Sequence, residues 1–426
     1  MTTSNGAKTP GLRTVGYLVL LVVTVLGFWA MGRVLIEGHG GSNTTQIVPW
    51  GLWVAFYIFF LGLSAGSFLL STLVYVFGMK RFEPIGPLAL VQALGCLLLG
   101  GALIFLDLGH PERMYKILFN LNPTSAMAWM GLFYNFYIII VVVELYYALR
   151  PQFVARSRGG GRGAGWARFW TFGYDDVSPA ALAGDRARLK RLGILGIPIA
   201  VIVHGGVGTI FAVAKAEPNW FGGLFPILFL VSALASGGAL LTFLTAFWYR
   251  GPRAEHQALV KSLAGLTIGI LAFDLLLLLS DMLTALYGGI PYQVNAWRLV
   301  FFGPFWWVFW FIQLGLGAVV PILIVAGRGT RERTRWLGLA GFFIIIGMVG
   351  ARLNIVIPAQ IGPDFPGLVN AYHHPRFAYG YFPSSEEWLV ALGITAIAVW
   401  LFIAARRWLP LEPESPALAM QGGIPR

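Results

Sequence analysis

The sequence predicts an all-α polytopic membrane protein with ten transmembrane helices, and three observations carry that prediction. Of its 426 residues, 57% are hydrophobic and only 11% charged, where a soluble protein has about 25% charged residues. Apolar runs of twenty or more residues recur from residue 15 to residue 405, each long enough to cross a hydrocarbon core of about 30 Å as a helix. The Lys and Arg residues gather in alternate connections, as orientation in a membrane requires.

The expected helices cover about 15–36, 50–78, 87–108, 125–149, 192–214, 223–249, 262–287, 304–326, 336–357 and 386–405. The first reads as a retained span, because MTTSNGAKTPGLRT leads into it without a signal-peptide cleavage pattern. With the N-terminus inside, the connections after helices two, four, six and eight also fall inside. They hold Lys80 and Arg81; nine cations from Arg150 to Arg191; Arg250, Arg253 and Lys261; and Arg328, Arg331, Arg333 and Arg335. With Lys8, Arg13, Arg406, Arg407 and Arg426 these make 23 of the 30 cations, which puts both termini in the cytoplasm. The net charge of +12 follows from this bias and needs no nucleic acid. The inner stretch 150–191, containing SRGGGRGAG, reads as a flexible basic linker in contact with anionic membrane lipid.

The second and sixth helices resemble each other. Aligning Gly51 with Gly222 sets Ser64-Ala65-Gly66-Ser67 against Ala235-Ser236-Gly237-Gly238. Asp107, ending the third helix, then has an approximate counterpart in Asp281 of the seventh. This organises the protein as 1–49, a tail, a peripheral helix and an outer loop; 50–214, a first four-helix bundle; 215–357, a second, similarly oriented; and 358–426, a loop, a peripheral helix and a tail. The small residues allow close helix approach.

Ionisable groups at membrane depth are costly and point to function unless they pair structurally. Asp107, Arg352 and Asn354 are expected near the outer surface, with His204 below them and Tyr134 at a similar depth. Glu144 lies in the inner half of the fourth helix, and Asp274 and Asp281 in the seventh. With Gln92 and Gln313 as water-holding neighbours, these acids can line polar routes for protons from the cytoplasm, or serve as structural partners. The stretch FLDLGHPERMYK concentrates Asp107, His110, Glu112, Arg113 and Lys116 within ten residues of a charge-poor sequence. His204 is the one histidine inside a helix; His39, His110, His256, His373 and His374 fall in loops or at ends. A bis-histidine haem is therefore not expected. The single Cys96 excludes a four-cysteine iron–sulfur cluster within this protein. No metal site and no self-contained catalytic residue set are expected.

Three segments, VPWGLWVAFYIFFLGLSAGSF, LDLGHPERMYK and ARLNIVIPAQ, resemble the NrfD/PsrC family of membrane subunits, in its ten-span type, and the similarity runs from about residue 10 to 405. The family's LGRP motif reads here Leu108-Gly109-His110-Pro111, with histidine in place of arginine and Arg113 close by. Arg352 and Asn354 match the family's Arg–Asn pair, and His204 its fifth-helix histidine. The resemblance implies a subunit of a bacterial or archaeal cytoplasmic-membrane oxidoreductase complex, binding menaquinone or ubiquinone near the outer face of the first bundle. It implies a periplasmic ferredoxin-like iron–sulfur partner, itself serving a molybdenum enzyme, a hydrogenase or a multihaem cytochrome. Asp107 and His204 would be proton partners of the quinone, and Arg352 and Asn354 would orient its head group or tune the pKa values of those partners. Partner docking is expected on 109–124, 288–303 and 358–385, with the basic stretch 150–191 as the alternative surface. The rival reading is a transporter or a passive membrane anchor.

Overall fold

The computed structural model describes residues 11–159, 163–217, 219–249, 251–363, 367–371 and 374–411. Among them are ten helices long and apolar enough to cross a membrane. They are α1 Arg13–Gly41, α2 Leu52–Val76, α3 Lys80–Asp107, α4 Ala126–Arg158, α5 Pro179–Ala212, α6 Leu224–Trp248, α7 Arg253–Gly288, α8 Val308–Ala326, α9 Thr334–Gln360 and α10 Ser385–Trp408. Lys8, Arg162, Arg250, His373 and Arg426 lie outside the described residues.

Helices that are hydrophobic all round should sit at the centre. The apolar window of α2 is 89% buried inside the protein and that of α6 78%, against 22% for α1 and for α7. α2 and α6 touch each other and both touch α9, which makes these three the core of the assembly. α1 and α10 pair at one edge, where a Cβ on Gly27 would lie 2.4 Å from the Gly393 Cα. Trp400 Nε1 donates to Thr24 Oγ1 across the same seam at 3.0 Å.

The small-residue segments aligned in the sequence pack against each other. A Cβ on Gly237 would fall 2.3 Å from the Gly66 backbone nitrogen, so only glycine fits there. α2 breaks at this contact, running as a helix over Leu52–Ser64 and again over Gly66–Ser71, then as π-helix over Thr72–Val76. A break inside a membrane frees backbone carbonyls that must find donors. Gln92 of α3 supplies one: its Nε2 donates to Leu63 O at 2.7 Å and to Gly237 O at 2.9 Å. Gln92 thus joins α2, α3 and α6.

The stretch expected to be a flexible basic linker is largely ordered. α4 continues to Arg158, a short helix covers Ala164–Trp170, and α5 starts at Pro179. The reason is an ion pair invisible to composition. Arg150 is fully buried and donates through Nε and Nη2 to Asp185 Oδ2, with Nε at 2.7 Å, and through Nη1 to Asp176 O at 2.8 Å. Its guanidinium also stacks over Tyr174, 4.5 Å from the ring centroid.

At the other ends of the helices, two connections distant in sequence are stitched together. Gln46 N donates to Arg376 O at 2.9 Å and Thr45 Oγ1 to Ala378 O at 3.0 Å. Tyr381 donates to Glu387 Oε1 at 2.5 Å and accepts from Leu52 N at 2.8 Å. Glu387 is 1% exposed, and its Oε2 accepts from Asn43 N at 3.1 Å and Ser384 N at 2.8 Å. Burial first, and the Glu387 carboxylate second, push the Tyr381 hydroxyl above the ordinary tyrosine range, which keeps it a donor. Gln360 at the end of α9 accepts from Trp50 N at 3.1 Å and donates to Trp50 O at 2.8 Å. Together these bonds fix the start of α2.

Candidate quinone cavity

Beneath that stitched surface lies a cavity of about 440 Å³, every lining residue of which falls between Trp50 and Phe211. This volume is within the range of small-molecule sites, about 300–1,000 Å³. Its walls are mainly apolar: Val54 and Ile58 of α2, Ile104 of α3, Met130 of α4, and Val207 and Ile210 of α5. A few polar groups interrupt them.

Asp107 ends α3 at the cavity and is half-buried. Its carboxylate has no hydrogen bond or ion pair with a described residue, so it is free to meet a ligand. Leu106 beside it is held through its carbonyl, which His39 Nε2 approaches at 3.1 Å. Tyr134 faces in from α4, with its hydroxyl donating to Leu97 O. Gly100 admits that hydroxyl, which stands 3.4 Å from where a Cβ would be. Tyr57 donates to Met130 Sδ at 3.6 Å. His110 and Arg113 line the exposed side, and both approach Glu112 Oε1, His110 at 3.0 Å and Arg113 at 3.5 Å. Asp107, Tyr134, His110 and Arg113 therefore meet at one cavity.

His204 does not line it. It lies three residues, about 4.5 Å of helix rise, below Val207, with Nδ1 donating to Ala200 O at 2.8 Å and Nε2 3.2 Å from Ser64 Oγ. Phe68 stacks on its ring and Tyr137 meets it edge-on. The α2 break places Ser64 there. Arg352 and Asn354 are farther off, because α9 packs on α2, α6 and α8. Arg352 is 1% exposed and lies over Phe229, which in turn stacks on the cavity residue Phe211. Arg352 is thus in contact with the cavity wall through Phe229 and is not itself a lining residue. Arg352 Nε and Nη1 have no partner among the described atoms. Asn354 Nδ2 donates to Gln313 Oε1 at 2.7 Å.

The residues expected along proton routes are likewise dispersed. Gln92 and Gln313 are held in the bonds already described. Glu144 is buried beside Gly193 of α5, where a Cβ would lie 3.3 Å from its Oε1. Asp274 Oδ1 is buried without a hydrogen-bond partner among the described atoms. Asp281 is two turns along the same face of α7. No group of three or more metal-ligating side chains occurs among the described residues.

The sequence reading missed Tyr57, Trp50 and the Tyr381–Glu387 pair. Trp50 stacks on Trp220, whose Nε1 donates to Ile355 O at 2.8 Å, and so connects the cavity rim to α9. The available signal was VPWG, a tryptophan beside a helix start; nothing local in FAYGYFPSSEEW shows that Tyr381 reaches Leu52.

Comparison with known proteins agrees with this architecture. The protein is 39% identical to a selenate reductase subunit of Mesobacillus selenatarsenatis, over 97% of its own length and 98% of that relative's. It is 28% identical to the Hdr-like menaquinol oxidoreductase integral membrane subunit of Archaeoglobus fulgidus, over 93% of each. It is 22% identical to the integral membrane subunit of a menaquinone reductase of Nitratidesulfovibrio vulgaris, over 92% of its own length and 90% of that relative's. The family model described as polysulphide reductase, NrfD, matches residues 40–363, and the protein belongs to that family of membrane proteins.

Proposed function

We propose that this protein is the membrane subunit through which a respiratory oxidoreductase complex exchanges electrons with menaquinone or ubiquinone, bound in the cavity at Asp107. The observation that carries this is the unpaired Asp107 carboxylate at the polar end of an otherwise apolar cavity. Planar aromatic and apolar walls suit a quinone ring and its isoprenoid tail, and a bound quinone supplies two-electron, two-proton chemistry. Asp107 holds or releases a proton at its carboxylate oxygens. Tyr57 and Tyr134, with hydroxyls already bonded to the protein, wall off water and position the ring. His110 and Arg113 set the charge at the mouth. His204 acts one shell away, by holding Ser64 at the break in α2. Relatives named as a menaquinol oxidoreductase subunit and a menaquinone reductase subunit favour menaquinone.

On this reading the Asp107 face is periplasmic and both termini are cytoplasmic, in a bacterial or archaeal inner membrane. The cations fit that orientation, and Phe119, Tyr287 and Phe302, each at least 80% exposed on the Asp107 face, offer apolar surface to a partner. That partner would be a ferredoxin-like iron–sulfur subunit, serving a molybdenum enzyme, a hydrogenase or a multihaem cytochrome. Haem has no place in this protein on the same reading, since both nitrogens of His204 face protein atoms. The complex purified from its host should contain such redox subunits and retain quinone. Ile104→Trp, which crowds the cavity, should reduce quinone retention at least about tenfold without loss of subunits. A solitary, quinone-free protein would support the transporter or anchor reading instead. Unchanged retention in Ile104→Trp would move the site elsewhere.

Glu144, Asp274 and Asp281 are assigned to proton uptake from the cytoplasmic side, because buried carboxylates at several depths can relay protons through intervening water. Glu144→Gln should lower the membrane potential generated per turnover in proteoliposomes. An unchanged potential at unchanged turnover would return Glu144 to a packing role.

A further inference from the structure

A second cavity, of about 600 Å³, opens at the opposite ends of the helices, where α7 and α9 begin. Arg253 and His256 line it from α7, and Arg333, Arg335 and Trp336 from the start of α9. Arginine in a first helical turn opposes the helix dipole, whose N-terminal end is already positive. At the start of α9 no acidic residue offsets this, while α7 carries Glu255 beside Arg253 in its first turn; neither helix has a side-chain cap on its free N–H groups. The one carboxylate lining the cavity is neutralised from outside it: Glu332 Oε1 accepts from Lys261 Nζ at 2.6 Å and lies 3.4 Å from Arg331 Nε. Arg253, Arg333 and Arg335 have no carboxylate within 4.0 Å among the described residues. The cavity is thus a concave site where the lining cations outnumber the one lining carboxylate, which is already engaged by Lys261 and Arg331.

We propose that this cavity binds the phosphate of an anionic phospholipid. Three guanidinium groups and the free N–H groups of two helix starts supply donors suited to phosphate oxygens. The site is at the ends of membrane-crossing helices, where a headgroup is at hand. Trp336, 40% exposed at the rim, and Leu323, 64% exposed on neighbouring α8, offer apolar surface to the acyl chains. A general excess of cations on this face does not account for the arrangement. Arg156, Arg406 and Arg407 surround another cavity on the same face, of about 260 Å³, but at helix C-terminal ends, where the dipole itself favours cations.

That difference provides the control. Phosphatidylglycerol is titrated into the detergent-solubilised full-length protein, and bound lipid is counted by native mass spectrometry. Arg253→Gln/Arg333→Gln/Arg335→Gln should weaken binding by about a hundredfold. Arg156→Gln/Arg406→Gln/Arg407→Gln, with the same charge loss, should change it by less than about threefold. Should the first triple variant not fold, Arg335→Gln alone should give about a fivefold loss. Equal losses in the two triple variants, or equal binding of phosphatidylcholine, would overturn the assignment. Displacement of the lipid by inorganic phosphate at comparable concentration would reveal a soluble anion as the occupant, and would equally overturn it.

Discussion

Asp107→Asn is expected to reduce quinone-linked turnover by about 10²–10⁴-fold, the range associated with loss of a general acid–base group. The substitution keeps the side-chain shape and removes only the ability to exchange a proton. Because the Asp107 carboxylate has no hydrogen-bond or ion-pair partner among the described residues, the substitution breaks no such bond and removes only its charge interaction with His39 and Glu387, so the complex should still assemble. The check is steady-state turnover of the purified complex with a soluble quinol analogue, beside a subunit inventory. A loss confined to kcat would identify a role in proton exchange, and a loss confined to KM a role in binding. Turnover equal to the parent would remove Asp107 from the site.

The largest effect on stability is expected at the opposite face. Asp185→Ala leaves Arg150 buried without its carboxylate, and breaking a buried pair from one side costs about 3–5 kcal/mol. Arg188, which also reaches Asp185 at 3.2 Å, loses its partner too, but it is half exposed and contributes little. Thermal denaturation in detergent should show a clear fall in midpoint. The double substitution Arg150→Met/Asp185→Leu should recover much of it, since two apolar groups of similar volume leave no charge stranded. A midpoint unchanged in Asp185→Ala would mean that Arg150 is satisfied by the Asp176 carbonyl and the Tyr174 ring alone.

Much of the fold is legible in the sequence because a membrane allows few solutions. Backbone groups must be paired within each helix, so the apolar runs translate directly into spans. Local chemistry also pointed to four of the polar residues at the cavity: Asp107, His110 and Arg113 are neighbours in one stretch, and Tyr134 follows on the next helix. Arg352 shows what a sequence leaves open. Depth along a helix can be counted from sequence, but the direction in which a residue faces depends on which helices pack around it. Arg352 shares the outer half of the membrane with the cavity, yet α9 directs it towards Phe229. The linker error has a related cause. Arg150 and Asp185 are separated by a glycine-rich stretch that suggests flexibility, and only the helices on either side bring them together.

The stitching above the cavity has a consequence for how the protein is made. The partners of Trp50 and Leu52 lie 310 and 329 residues later in the sequence, at Gln360 and Tyr381. At about 5–20 residues per second of synthesis, some 15–60 s separate the emergence of the cavity's first wall from that of the residues that fix it. The nascent polypeptide therefore places α2 to α5 in the membrane with the rim of the cavity still unfastened. The rim can be fastened only after Gln360 and Tyr381 have been made, not when the early helices insert. A truncated product lacking α10 would retain every cavity-lining residue but not the Tyr381–Glu387 fastening, giving membrane quality control a physical distinction between finished and unfinished subunits.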